Sequence, residues 1–332
     1  MSPLRGMLLG VGSVARQAHL PGFLQGEGVA GRLRLVATMD ELDRDPPLPD
    51  LPHFADRQRV AEVAPIDFVD ICTPPMTHLE LVLWGLESGY HVLCEKPVAL
   101  SGREVAQIRA ARRPGQVVMA CHQYRHNPAW QQVREWIESG AIGDWHLAEF
   151  EVLRTAADPG SAGSHAPWRT RRDQAGGGIL LDHGTHLIYQ LLDVAGLPRT
   201  VQCWTGRLRH LNYDVEDTAH LLLDFGGRVG SFLLTWAADR RATRIRFIGT
   251  EGSIEWSEGL LRLSGKHGPL VRDYSSELSK ASYYRWFARL FHEFADRIER
   301  QEPDPPLEDI AGVALVLEAA YGAHAAGCRV SL

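Results

Sequence analysis

The stretch LLGVGSVARQAHLP, Leu8–Pro21, decides how the chain is read. A short apolar run ends in Gly10-x-Gly12-x-x-Ala15, and a helical pattern follows. In such a loop the first glycine allows a tight turn and the second lets the backbone approach a pyrophosphate. A small third residue lets the helix pack closely on the strand. The pattern predicts a dinucleotide site at the first strand–helix junction, made by Gly10, Gly12, Ser13 and Val14. The second apolar run, LVATMD, ends in Asp40. A carboxylate there can accept hydrogen bonds from an adenosine ribose and repels a 2′-phosphate, which points to NAD. Asp40 stands somewhat further from the glycines than the usual ~20 residues, and Arg44 nearby keeps NADP open.

Working outward, short apolar runs alternate with stretches of helical period throughout 1–121: MLLGV, LRLVATM, DFVDIC, YHVLC, QVVMAC. That alternation predicts a parallel sheet with crossover helices. Thr77-x-x-Glu80 and Ser101-x-x-Glu104 each have the form of a helix-opening capping box. After residue 121 the grammar changes. A helix and a strand (WHLAEFEVL) lead to a glycine-, serine- and charge-rich stretch at 156–178, followed by a helix from about Leu181 to Val194. Strand-length runs separated by GG, GTEG and SEG turns fill 200–265 and read as an antiparallel meander. The expected architecture is a Rossmann domain over 1–121. An α/β (α+β) domain with an open, mainly antiparallel sheet would follow over 122–332. One face of that sheet is apolar and needs helices or another subunit over it. The 156–178 stretch is too long for an ordinary connector and reads as a site-lining or mobile loop.

Composition excludes some partners. The 332 residues carry a net charge of −6 and scatter their arginines among acids, which gives no footprint for nucleic acid or an anionic membrane. The longest apolar run near the end, IAGVALVL, is too short to span a bilayer, and no secretory signal opens the sequence. Five cysteines without a CxxC pair fit reduced, mostly buried thiols in a cytoplasmic protein.

Several positions carry candidate chemistry. Thr73, Pro74 and His78 in ICTPPMTH follow the third strand at its carboxyl end, where ligands bind in open α/β sheets. For His78 alone, an ordinary loop and helix start explains the residue equally well. In GGGILLDHGTH, Asp182 and His186 are four apart on one predicted helix face. Three readings stay open there. Asp182, His183 and His186 could ligate a metal, although no further ligand has a recognisable spacing. Asp182 could tune His186 as an acid–base pair. The histidine could also be simply buried. Trp168 and Arg169, with Arg171 and Arg172, could stack a sugar ring and bind a carboxylate or phosphate. Arg125 and Asn127 are further pocket candidates. Lys96, in VLCEKPVALS, is one of only three lysines among 35 basic residues. Arginine stays protonated, whereas a lysine amine can release its proton and be aimed at one oxygen.

Taken together, the glycine loop, CEKP and GGGILLDHGTH resemble the Gfo/Idh/MocA oxidoreductases, as do YRHNP (Tyr124–Pro128), GTEGSIEW (Gly249–Trp256) and the closing EAAYGAHAAGCRVSL. The resemblance implies an NAD(P)-dependent dehydrogenase acting on a carbohydrate-like small molecule, a sugar, cyclitol or sugar derivative. It places Glu95 and Lys96 beside the nicotinamide, with Lys96 polarising the substrate oxygen and relaying a proton. His186 is then general base or acid, Asp182 orients substrate and histidine, and no metal is required. It also implies a cis peptide before Pro97, and a homodimer or homotetramer formed through the second sheet. Relatives often carry an acid three residues after the histidine; here Tyr189 stands there, which alters the pocket floor. A redox-neutral enzyme with tightly held NAD is an alternative, as are a non-catalytic sensor and, more distantly, a metal-dependent hydrolase.

Overall fold

The structure is a computed structural model that describes all residues except 1, 43–45, 49, 58, 60–64, 159–167, 267, 280 and 281. Arg44 and the middle of the 156–178 stretch therefore lie outside the described residues. Six strands form the first sheet: β1 (Leu4–Leu9), β2 (Leu33–Met39), β3 (His53–Phe54), β4 (Phe68–Ile71), β5 (His91–Cys94) and β6 (Val118–Ala120). Their order is β3-β2-β1-β4-β5-β6, with every neighbouring pair parallel. This is the doubly wound Rossmann order, and the winding reverses between β1 and β4, where such sheets bind ligands. β4 is buried along its whole length and the last four residues of β1 are too, so β1 reads as an apolar run and β4 as one interrupted only by Asp70.

After the glycine loop the chain makes a π-helical turn, Ala15–His19, and continues as α1 (Leu20–Gln25). Pro21 lacks an amide hydrogen and its ring crowds the carbonyl four residues back, and a widened turn just before it relieves both problems. α2 (His78–Glu87) and α3 (Gly102–Ala111) follow. At α3 the predicted cap forms: Ser101 Oγ accepts the Glu104 N–H at 3.3 Å. At α2 it does not. A 3₁₀ turn over Pro75–Thr77 leaves Thr77 in helical conformation, and its hydroxyl faces Pro74 O at 2.8 Å instead.

The second unit opens with α4 (Pro128–Glu138), whose N-cap is Asn127, accepting the Ala129 N–H at 2.8 Å. The sheet starts with β7 (Trp145–Leu153). Next come α5 (Arg172–Ala175), a π-helical turn over Leu180–Gly184 and α6 (Thr185–Ala195). The other strands are β8 (Thr200–Gly206), β9 (Thr218–Asp224), β10 (Val229–Thr235), β11 (Ala242–Gly249), β12 (Gly252–Ser257), β13 (Leu260–Gly265), β14 (Gly268–Asp273) and β15 (Val330–Ser331). The sheet order is β14-β13-β12-β11-β7-β10-β9-β8-β15, antiparallel except for the β7–β10 pair. Inward residues stack across strands, as Phe150 on Phe232 with ring centroids 4.7 Å apart. On the other face Trp204, Leu222 and Leu233 stay exposed.

Two more helices, α7 (Tyr283–Glu299) and α8 (Glu308–Ala326), follow β14 in the chain. The expected boundary lies at 121/122. The first compact unit runs to His126 and takes back the stretch from 280 to 311, including α7. The cause is the apolar stripe of α7: Phe287, Phe291 and Phe294 complete the core that packs on β1, β2 and α1. Phe291 stacks on Phe23 at 4.0 Å. Gly22 permits this approach, because a methyl there would lie 2.8 Å from the Phe291 ring.

Candidate active site

The dinucleotide loop sits at the carboxyl end of β1. Gly10 has φ +85°, and a methyl on it would come within 2.9 Å of Thr73 Cγ2 and 3.0 Å of the Cys72 carbonyl. Only glycine fits this cradle. Asp40 ties the loop to the end of β2: its Oδ2 accepts the Val11 N–H at 2.8 Å and its Oδ1 the Leu42 N–H at 2.9 Å. Backbone held this way, at a helix start and beside a buried carboxylate, fits a dinucleotide.

Lys96 closes β5, half-buried, and the peptide between it and Pro97 is cis, as the resemblance implies. Its backbone is held by Glu95, whose Oε2 accepts the Lys96 N–H at 3.1 Å. The other carboxylate oxygen of Glu95 meets His19 Nε2 at 3.0 Å, while His19 Nδ1 meets Asp70 at 2.7 Å. The expectation that Glu95 contacts cofactor thus meets a buried side chain whose two oxygens already have partners. His19 lies wholly buried between two acceptors, so its ring must donate from both nitrogens. Burial alone would lower this imidazole, but Asp70 and Glu95 outweigh it and hold the ring up at about 9. Burial likewise acts to raise Glu95, and His19 reverses that and holds the carboxylate below its ordinary value.

His78, expected at the cofactor, is 1% exposed and both its ring nitrogens face carbonyls, Nδ1 at Pro97 O (2.7 Å) and Nε2 at Thr73 O (2.9 Å). It has no ring nitrogen left to offer a dinucleotide. Arg125 pairs with Asp309 at 3.3 Å, and His122 lies 3.6 Å from the same acid. Burial would raise Asp309, but His122, Arg125 and Arg297 hold it well below the usual carboxylate range.

In the second unit the π turn sets the candidates. Asp182 is half-buried; its carboxylate lies 3.4 Å from Arg169 Nε and 3.4 Å from His183 Nδ1. The Arg169 guanidinium lies over the Trp168 ring, 4.4 Å from its centroid. His186 begins α6, 9% exposed, and its Nδ1 meets the hydroxyl of the fully buried Tyr189 at 3.1 Å. The residue that departs from the resemblance therefore orients the histidine. A further pair was not foreseen. Glu216 accepts both the Gly178 N–H and the Tyr321 hydroxyl at 2.8 Å, and Gly178 O accepts the Asp182 N–H at 2.9 Å. Among the described residues, ligand atoms at metal-binding spacing occur at His19, Asp70 and Cys121 and not at Asp182, His183 and His186. No described helix is long and apolar enough to cross a membrane.

A Rossmann unit with a fitted glycine cradle and a unit built on a mainly antiparallel sheet make a two-unit, dinucleotide-binding architecture. Residues 5–122 match the oxidoreductase family with an NAD-binding Rossmann fold, and residues 130–255 match the GFO/IDH/MocA C-terminal domain. The chain is 30% identical to trans-1,2-dihydrobenzene-1,2-diol dehydrogenase of Mus musculus over 280 residues, covering 80% of each protein. It is 31% identical to D-glucoside 3-dehydrogenase of Escherichia coli over 205 residues, 59% of this chain and 55% of the relative. Among solved structures, levoglucosan dehydrogenase in complex with NADH and L-sorbose superposes with a TM-score of 0.80 at 25% identity, covering 100% of this chain and 99% of that one. The chain belongs to the Gfo/Idh/MocA family. It spans about half the length of several curated relatives it matches, between 51% and 57% for three of them.

Proposed function

We propose that the protein is a dehydrogenase that uses NAD, in preference to NADP, to oxidise a secondary hydroxyl of a sugar, cyclitol or sugar derivative. The observation that carries this reading is the fixed backbone at Lys96, at the carboxyl end of β5 in a sheet whose glycine cradle fits a dinucleotide. Relatives named for the dehydrogenation of a glucoside, levoglucosan and a cyclic diol support the substrate class. Bound NAD supplies the hydride acceptor.

The chain's own groups do the rest. Gly10, Gly12, Ser13 and Val14 cradle the pyrophosphate, Asp40 meets the ribose, and Thr73 and Pro74 border the nicotinamide end. Loss of hydride from a carbinol carbon leaves charge on oxygen, and Lys96 stabilises it while the hydroxyl proton departs. His186 takes that proton, its ring held by Tyr189, and Asp182 orients the substrate with Trp168 and Arg169 beside it. A second copy would cover the exposed Trp204, Leu222 and Leu233 of the open sheet.

The test is reduction of NAD and, separately, NADP by purified protein offered methyl glucoside, levoglucosan and scyllo-inositol. Reduced nicotinamide with at least one of them, and a Lys96→Arg variant that folds but turns over about 100-fold more slowly or worse, is the expected result. Wild-type rates in Lys96→Arg would sink the assignment. NAD released only on denaturation, with no net reduction, would move the protein to redox-neutral chemistry.

A further inference from the structure

Two buried histidines bracket Lys96, and they differ in what they face. His19 donates to two carboxylates, so its positive charge is matched. His78 faces two carbonyl oxygens, which are acceptors only, at 2.7 and 2.9 Å. A neutral imidazole has a single N–H; its other nitrogen would then point a lone pair at a carbonyl oxygen inside hydrogen-bond distance. Only the protonated ring satisfies both contacts. Those contacts join the backbone on either side of the chemistry: Pro97 follows Lys96 directly, and Thr73 is the residue against which Gly10 presses.

We propose that His78 is a positioning residue for Lys96 that works as an imidazolium, its two N–H groups donating together to Pro97 O and Thr73 O. The inference rests on the reading of Lys96 as a catalytic residue. Burial pushes this imidazole below its ordinary value, and the Pro97 and Thr73 carbonyls and Glu95 oppose burial, while Lys96 acts with it. Of the two rings, His78 is therefore the one that loses its proton first as pH rises. Once it loses its proton, one carbonyl contact must open and the Lys96 turn is no longer tied to the loop after β4. The clamp contributes when the ring is charged, so its share of the rate falls as pH rises through the His78 value.

The first measurement needs no substrate. Nitrogen NMR of the whole wild-type protein, assigned through the α2 backbone, reads the His78 ring directly. In mildly acidic solution, below the ordinary imidazole value of about 6.5, two ring nitrogens resonating close together are expected; a widely split pair there, the mark of a neutral tautomer, overturns the proposal. The second compares wild type with His78→Gln, which can donate to only one of the two carbonyls in this clamp. Rates are read across pH with NAD and the best sugar of the panel above. An about ten- to hundredfold lower kcat is expected from a slightly misplaced Lys96, with a KM for NAD near wild type and loss of one limb of the pH profile. An unchanged kcat and profile overturns it. Should Lys96→Arg keep full rate, the catalytic reading fails whatever the ring signal, so the two failures are distinguishable.

Discussion

Both units set a π-helical turn just ahead of an α-helix, and they secure it by opposite means. In the first unit the turn Ala15–His19 ends in a charge, His19, locked between Asp70 and Glu95. In the second unit the turn Leu180–Gly184 follows a glycine run pressed against its neighbours. A methyl on Gly178 would lie 1.9 Å from Glu216 O, and one on Gly177 2.1 Å from the Tyr321 hydroxyl. Charge pairing tolerates some change of shape but not the loss of a partner. Close backbone approach tolerates changes of charge but not an added methyl group.

The largest break should come from His19→Leu. It leaves Asp70 and Glu95 buried without their cation, which costs about 3–5 kcal/mol, read as a lower midpoint in chemical denaturation. Next is Gly178→Ala, where the clash is with backbone; a loss of about 1–3 kcal/mol is expected, with turnover impaired more than His19-dependent stability. A clear structural result for either variant in the wrong unit, resolved by hydrogen exchange, would undo the comparison. Rising pH should separate the units without any mutation. His19 is raised from its ordinary 6.5 to about 9, so its stabilisation is complete below 6.5 and is lost as pH climbs through 9. Burial raises Glu216, against Tyr321 and the Gly178 N–H. The native state then holds a proton that the unfolded chain releases, and stability declines as pH rises above the ordinary carboxylate value. Hydrogen exchange should therefore show alkaline loosening around His19 and a separate change around Glu216 starting in mild acid. The smallest effect is Tyr321→Phe, about 1 kcal/mol for one hydrogen bond, with exchange of the Gly178 amide speeding up as the sharper readout.

What the sequence discloses follows the same division. The glycine loop, the parallel strands and the Ser101 cap depend on neighbours in the chain, and all are legible. Asp182, His186 and Trp168 with Arg169 are legible as candidates because their spacing is local. Glu95 and His78 are legible as positions but not as roles, since their partners, His19 and the Pro97 and Thr73 carbonyls, are close only in the fold. His19 itself left a signal: a histidine in an apolar helix start and an acid, Asp70, inside the apolar run DFVDIC both need buried partners. The glycine motif draws attention away from both. Glu216 and Tyr321 are 105 residues apart, and no local pattern joins them. The return of α7 to the first unit is decided by which core its phenylalanines complete, a tertiary choice that helical periodicity cannot make.

That return has a consequence for how the protein is made. On a ribosome, which delivers about 5–20 residues per second, the Rossmann strands emerge long before Phe287, Phe291 and Phe294. Phe23 and His19 must wait, uncovered, while most of the second unit is synthesised. The first unit to begin emerging therefore cannot finish folding until α7 follows, with most of the second unit already made. A nascent chain halted after His126 should bind a chaperone through the surface that α7 later closes.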